Sequence, residues 1–290
     1  MNKTKYSKEL IADTSALVLL WCGHEIYHSG AVNEYANMLD LGRGRSLFER
    51  CNNIWSEYGS VIRYRKLFIA KEAASIIAKN NINQVVIPGA GFSMLGIELA
   101  ATFQNLDIFE LDTDRMQEKE KIIKRLSLAE NSRVSCLSAD VEDIGTCGRV
   151  LSDVGWRQQE PTLLIIEGLS YYVSGNAVRR QWGMMMPGSM IIFEYLVPPD
   201  LVNSSRRHIP DNVFHEIMNY CSCDSRLTYW SEDQLLNETE VRLDSCYSLY
   251  DIEKELNPDT RLFTDRKTGW IEVAVLTRKA LANAALQATT

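Results

Sequence analysis

An apolar run that stops at two glycines, Val85-Val86-Ile87-Pro88-Gly89-Ala90-Gly91, constrains this chain more than any other stretch. A strand ending in Gly89-Ala90-Gly91 can bring its backbone against a ligand, because no side chain blocks the approach. A helical pattern follows. About twenty residues later, the spacing at which a nucleotide ribose is held, a second apolar run, Leu106-Asp107-Ile108-Phe109, ends in the acidic Glu110-Leu111-Asp112. Together the two runs imply a cofactor that contains adenosine.

From residue 84 the pattern alternates between strand and helix. Strands are predicted at 84–88, 106–111, 133–138, 161–166 and 188–195, and helices at 92–103, 114–129, 145–153 and 174–184. This alternation implies parallel βαβ units. Thr162-Leu163-Leu164-Ile165-Ile166 and Ser189-Met190-Ile191-Ile192-Phe193 are apolar on both faces, as central strands covered by helices are. Residues 1–80 read as helical throughout, with helices at 14–26, 33–39, 47–58 and 61–79 and a break at Gly42-Arg43-Gly44. Residues 197–238 interrupt the alternation with a polar stretch and an amphipathic helix over 208–220, which predicts a lid. Two β-like runs, 241–250 and 270–277, joined by a charged loop, predict an antiparallel hairpin at a sheet edge. The Ala-rich tail after Lys279 is expected to fray. The domain boundaries that follow are a helical extension over 1–80 and a cofactor-binding domain over 81–290 carrying the lid.

Of the 290 residues 46 % are apolar, enough for a full core, and the net charge of −7 without a basic stripe excludes a nucleic-acid partner. The seven cysteines include no C-x-x-C pair, which reads as reduced thiols in a cytoplasmic protein. The one close pair, Cys221-Ser222-Cys223, has the wrong spacing for zinc, so no metal is expected. The apolar segment 10–22 is too short to span a bilayer, so no membrane is expected; Glu9 and Asp13 interrupt it as a signal peptide. No feature of the sequence sets an oligomeric state.

A dinucleotide fingerprint needs a third glycine where Met94 stands, and no Gly-Lys-Ser/Thr follows the turn. S-adenosylmethionine has no phosphates. It needs a glycine turn, an acid for the ribose hydroxyls and a polar group near the adenine. Gly89-Ala90-Gly91, then Glu110 and Asp112, then Asp140 with Val141, then Glu167-Gly168 supply these in order at successive strand ends. Any one such acid is as readily a helix N-cap; four in register point to a site. A terminal hairpin after five parallel strands suits methyltransferases better than dehydrogenases.

These motifs, with Glu167-Gly168-Leu169-Ser170-Tyr171-Tyr172 and the Arg63-Tyr64-Arg65 element in the helical extension, resemble the leucine carboxyl methyltransferase family, which includes bacterial small-acid O-methyltransferases. The resemblance covers roughly residues 10–195. It implies an α/β, Rossmann-like class I methyltransferase: a mostly parallel seven-stranded sheet with a terminal antiparallel hairpin, a helical N-terminal extension and a lid. It further implies that Gly89, Ala90 and Gly91 back the methionine part of the cofactor. Asp112, with Glu110 the alternative, binds the ribose, and Asp140 with Val141 sits at the adenine. Glu167 takes the amino group; Arg63, or failing that Arg65, pairs with the carboxylate. Tyr172 lies by the transferring methyl or the substrate acid. The chain departs from the family at Phe92-Ser93, where an Asp is usual, at Glu98, where an Arg is usual, and at Asp114, where a Pro often stands.

Methyl transfer from a sulfonium is an in-line displacement in which positioning dominates. A carboxylate acceptor, with a pKa of roughly 4, needs no base, and none of His24, His28, His208 and His215 falls at a strand end. An alcohol would need one, which His208 or His215 could supply if the lid folds over the crevice. A small-molecule acid is therefore the expected acceptor, with Arg206-Arg207, or whichever of Arg63 and Arg65 does not hold the cofactor, as its cationic partner. Trp21, Tyr171, Tyr172, Tyr195 and Tyr229 are candidates to line its pocket. The alternatives are methylation of a protein chain-end carboxylate, an NAD-type oxidoreductase, and a binding protein without turnover. Removing Asp112 or Glu167 is expected to abolish cofactor binding and leave the fold intact.

Overall fold

A computed structural model describes residues 8–221, 226–259 and 261–280; Cys223 and the tail beyond residue 280 lie outside them. The central sheet has strands β1 Gln84–Pro88, β2 Asp107–Asp112, β3 Arg133–Ser138, β4 Leu163–Ile166, β5 Met190–Leu196, β6 Val241–Ser248 and β7 Ile271–Arg278. Their order is β3-β2-β1-β4-β5-β7-β6. The first five pair in parallel, while β7 inserts antiparallel between β5 and β6. This is the predicted class: α/β, Rossmann-like, mostly parallel, with an antiparallel terminal pair. The sheet reverses direction from β1, where the chain goes to β2 on one side and β4 on the other. In such sheets the crevice at the carboxyl ends of the strands, at this switch point, binds the ligand.

The helices are α1 Asp13–Cys22, α2 Gly30–Asn37, α3 Arg45–Ile54, α4 Tyr58–Asn80, α5 Leu95–Thr102, α6 Met116–Ile123, α7 Ile144–Asp153, α8 Gly175–Met184, α9 His208–Tyr220, α10 Glu232–Leu236 and α11 Leu249–Leu256. Two expectations need correction. The first eighty residues are not wholly helical, because Glu9–Leu10 pairs in parallel with Leu39–Asp40. Nor is the segment between the last two strands only a charged loop: it contains α11, which Ser248 starts with a reciprocal cap to Asp251.

Strand alternation sorts the core onto two faces. Val85, Ile87, Ile108, Ile165 and Ile192 pack with the N-terminal helices. Val86, Phe109, Leu164, Ile166 and Phe193 pack with α7 and α8. Among the described residues no helix is long and apolar enough to cross a membrane, no disulfide joins cysteines, and no group of three or more His, Cys, Asp or Glu could hold a metal ion.

Candidate active site

A cavity of about 440 Å³ opens at the carboxyl ends of β1, β2 and β4. Its floor is the turn Gly89 to Ser93. Asp112 and Glu167–Leu169 form two sides, α1 and α4 a third, and α9 with Phe214, Ile217 and Met218 a fourth. This volume falls within the range of roughly 300–1,000 Å³ usual for small-ligand sites.

The turn has both glycines at positive φ, +67° for Gly89 and +47° for Gly91. A Cβ at Gly89 would lie 2.8 Å from Leu169 Cδ1, and one at Gly91 would lie 3.0 Å from Ser15 Oγ. The Gly91 N–H donates to Asp112 Oδ2 at 2.8 Å, which draws the two strand ends together. Asp112 Oδ1 accepts from the Thr113 N–H at 2.7 Å. Gly89→Ala should therefore combine a left-handed strain of about 1–2 kcal/mol with a collision. We expect S-adenosylhomocysteine affinity to fall at least about tenfold, read by calorimetry; unchanged affinity would show that the turn does not contact the cofactor.

On the opposite wall α4 presents two cations. Its buried stripe runs Tyr58, Val61, Ile62, Arg65, Lys66, Ile69, Ala73, Ile76 and Ile77, at helical spacing. Arg65, 3 % exposed, pairs with Glu194 of β5 and donates to the Tyr171 hydroxyl at 3.1 Å. Lys66 Nζ lies 2.5 Å from Glu167 Oε1. Glu194 Oε2 also accepts the Gly168 N–H at 3.0 Å, so one carboxylate holds both Arg65 and the turn that follows Glu167. Burial alone would raise Glu167, but Lys66 and Arg65 hold its carboxyl below the ordinary value. Burial pushes Glu194 upward, with Arg65 working against it.

Several sequence-predicted residues lie elsewhere. Arg63, two positions from Arg65, falls off the buried stripe; it is exposed and donates to the Cys22 carbonyl at 3.2 Å. It does not line the cavity; Arg65 and Lys66 hold that wall. Glu110 is fully buried beneath the turn and outside the cavity, so of the two acids that end β2 only Asp112 lines it. Tyr195 points to the far face of the sheet, where its hydroxyl donates to Glu272 at 2.6 Å, and it does not line the cavity. Arg206 donates to the Leu262 carbonyl at 2.7 Å and stacks on Trp55, away from the cavity. Tyr229 also lies outside it. Asp140 is exposed at the end of β3, where its Oδ1 accepts the Glu142 N–H at 2.9 Å, and Val141 is half-buried; neither lines the cavity. Ala90, Tyr171, Tyr172 and Trp21 do line it, Tyr172 with 39 % exposure. None of the four histidines does.

Lys66 was missed. The spacing of Val61, Ile62, Ile69 and Ala73 places it on the inward stripe, and that periodicity could have found it. The departure at Glu98 has a local account: its carboxylate accepts the His28 and Ser29 N–H groups at 3.2 and 3.1 Å, which ties the start of α2 to α5.

A sheet of this order, a glycine turn braced by an acidic strand end, and a buried cation–carboxylate wall define a class I S-adenosylmethionine-dependent methyltransferase. The residues fit that cofactor. The two glycines leave a cradle that a Cβ would fill, Asp112 and Glu167 offer acceptors, and Arg65 keeps a buried Nε–H with no partner among the described residues, a donor suited to a carboxylate. The chain belongs to the leucine carboxyl methyltransferase family, whose profile matches residues 3–185. No curated protein matches it. In fold it is similar to a DUF574 family protein from Streptomyces avermitilis, with a TM-score of 0.66, 12 % identity, and coverage of 93 % of this chain and 98 % of that one. It is also similar to a candidate methyltransferase from Thermobifida fusca, with a TM-score of 0.66, 12 % identity, and coverage of 95 % and 97 %.

Proposed function

We propose that this enzyme methylates a carboxylate oxygen of a small apolar acid. One observation supports this reading: the cavity wall holds the guanidinium of Arg65, with one N–H unpartnered among the described residues, and Lys66, each beside a carboxylate, and no histidine lines it. When bound, S-adenosylmethionine supplies an electrophilic methyl group on a sulfonium. A carboxylate, with a pKa of about 4, meets it already ionised, so the protein has to position the acceptor rather than deprotonate it. An alcohol acceptor would call for a base. Both carboxylates at the cavity are engaged, Asp112 by the Gly91 N–H and Glu167 by Lys66.

The rest of the wall supports an apolar acceptor. Trp21 and Tyr58 pack with tilted rings, 4.9 Å between centroids, and Tyr172 meets Tyr171 edge-on at 4.7 Å. Walls from both α1 and α9 support a small acceptor over a protein chain end, which would need an open groove. In a cytoplasmic setting the acceptor would be a metabolite acid.

The test is incubation with methyl-labelled S-adenosylmethionine and a panel of aliphatic and aromatic carboxylic acids, beside peptides with free carboxyl termini. The expected product is a base-labile ester of a small acid that releases methanol in alkali. Base-stable label, or label on alcohols or amines alone, would overturn the carboxylate assignment. Label confined to peptide termini would overturn the small-molecule assignment.

A further inference from the structure

Two fully buried charges lie under the glycine turn and outside the cavity. Glu110 of β2 and Lys119 of α6 are both 0 % exposed, and Lys119 Nζ sits 2.7 Å from Glu110 Oε2. The same Nζ donates to the Gly91 carbonyl at 2.8 Å. The Gly91 N–H is held by Asp112. Residues 110 and 112 point to the same face of β2. Both polar groups of the left-handed Gly91 are thus tied to that strand, one directly by Asp112 and the other through Lys119. Glu110 has little else to do: among the described residues its Oε1 has no partner, and Oε2 accepts, besides Lys119, only the Cys136 thiol at 3.6 Å.

A buried ion pair is weak evidence for stability. Desolvating both charges offsets their attraction, and well-packed apolar replacements are often neutral or stabilising, whereas loss of one partner alone is costly. What this pair supplies in addition is a fixed position for the Gly91 carbonyl. We propose that Glu110 and Lys119 are positioning residues for the cofactor: with Asp112 they lock the peptide of Gly91 in the conformation that S-adenosylmethionine binding requires. Neither touches the cavity, so neither is catalytic.

The test separates position from stability. Glu110→Leu/Lys119→Met should stay folded, with a thermal midpoint equal to or above that of the parent. It should bind S-adenosylhomocysteine about tenfold more weakly by calorimetry, the effect of one lost charged hydrogen bond. Glu110→Gln/Lys119→Gln restores an uncharged donor toward Gly91 and should bind within about threefold of the parent. Should the first variant fail to fold, Glu110→Gln/Lys119→Met, which also carries no buried charge, is read by the same criteria. Parental affinity in the apolar variant, or failure of the glutamine pair to restore binding, would overturn the proposal.

Discussion

Asp112→Ala is expected to weaken S-adenosylhomocysteine binding by about 100-fold while the protein stays folded. The carboxylate performs two tasks at the end of β2. Its Oδ2 fixes the Gly91 N–H at 2.8 Å, and it lines the cavity, where we expect it to meet the ribose. Hydrogen bonds to a charged group contribute about 1.5–3 kcal/mol each, so losing both gives about 3 kcal/mol at the lower end of that range, or about two decades of affinity. The fold tolerates the change because Asp112 is only half-buried at a strand end, and the Thr113 and Asp114 N–H groups it also caps can turn to water. Calorimetry gives the affinity and far-ultraviolet circular dichroism the fold. Wild-type affinity in this variant would remove Asp112 from the cofactor site.

The second large effect falls on stability. Glu194→Ala leaves the Arg65 guanidinium, which stays charged at any accessible pH, buried without its counter-ion, and it also orphans the Gly168 N–H. Breaking a buried pair from one side costs about 3–5 kcal/mol, a large share of the roughly 5–15 kcal/mol that holds a domain together. The urea midpoint should fall accordingly. Glu194→Leu/Arg65→Met should recover much of the loss, since it removes both charges together. A Glu194→Ala variant within about 1 kcal/mol of the parent would mean that water reaches Arg65 and that the pair is not sealed. The same logic corrects an expectation for Glu167: its removal strands Lys66, which is as buried as Arg65, so Glu167→Ala should lower stability as well as binding.

Much of this was legible in the chain itself. β3 and α9 fall where the pattern predicts them, because an apolar run with turn signals, or an amphipathic stripe, specifies its own span. α11 was missed. Its eight residues carry charges that resemble a loop, and its start depends on the reciprocal hydrogen bonds between Ser248 and Asp251. The order of the acids along the sequence, Asp112, Asp140 and Glu167, located the carboxyl edge of the sheet. It did not show which side chains turn inward there.

That decision belonged to the tertiary structure. Local sequence determines element type, the glycine turn and the crevice, because these follow from backbone freedom and from periodicities of two and 3.6 residues. Which face a charged residue takes depends on what lies across from it. Arg65 is held inside by Glu194 of β5, 129 residues away in sequence, while Arg63, two positions along α4, falls on its exposed side. Glu110 became a support for Gly91 only when α6 brought Lys119 beneath the turn, and Tyr195 left the site because its neighbour Glu194 claimed the inward position. A buried charge is tolerated only with its counter-charge in place, and that pairing is formed in space by segments that lie far apart along the chain.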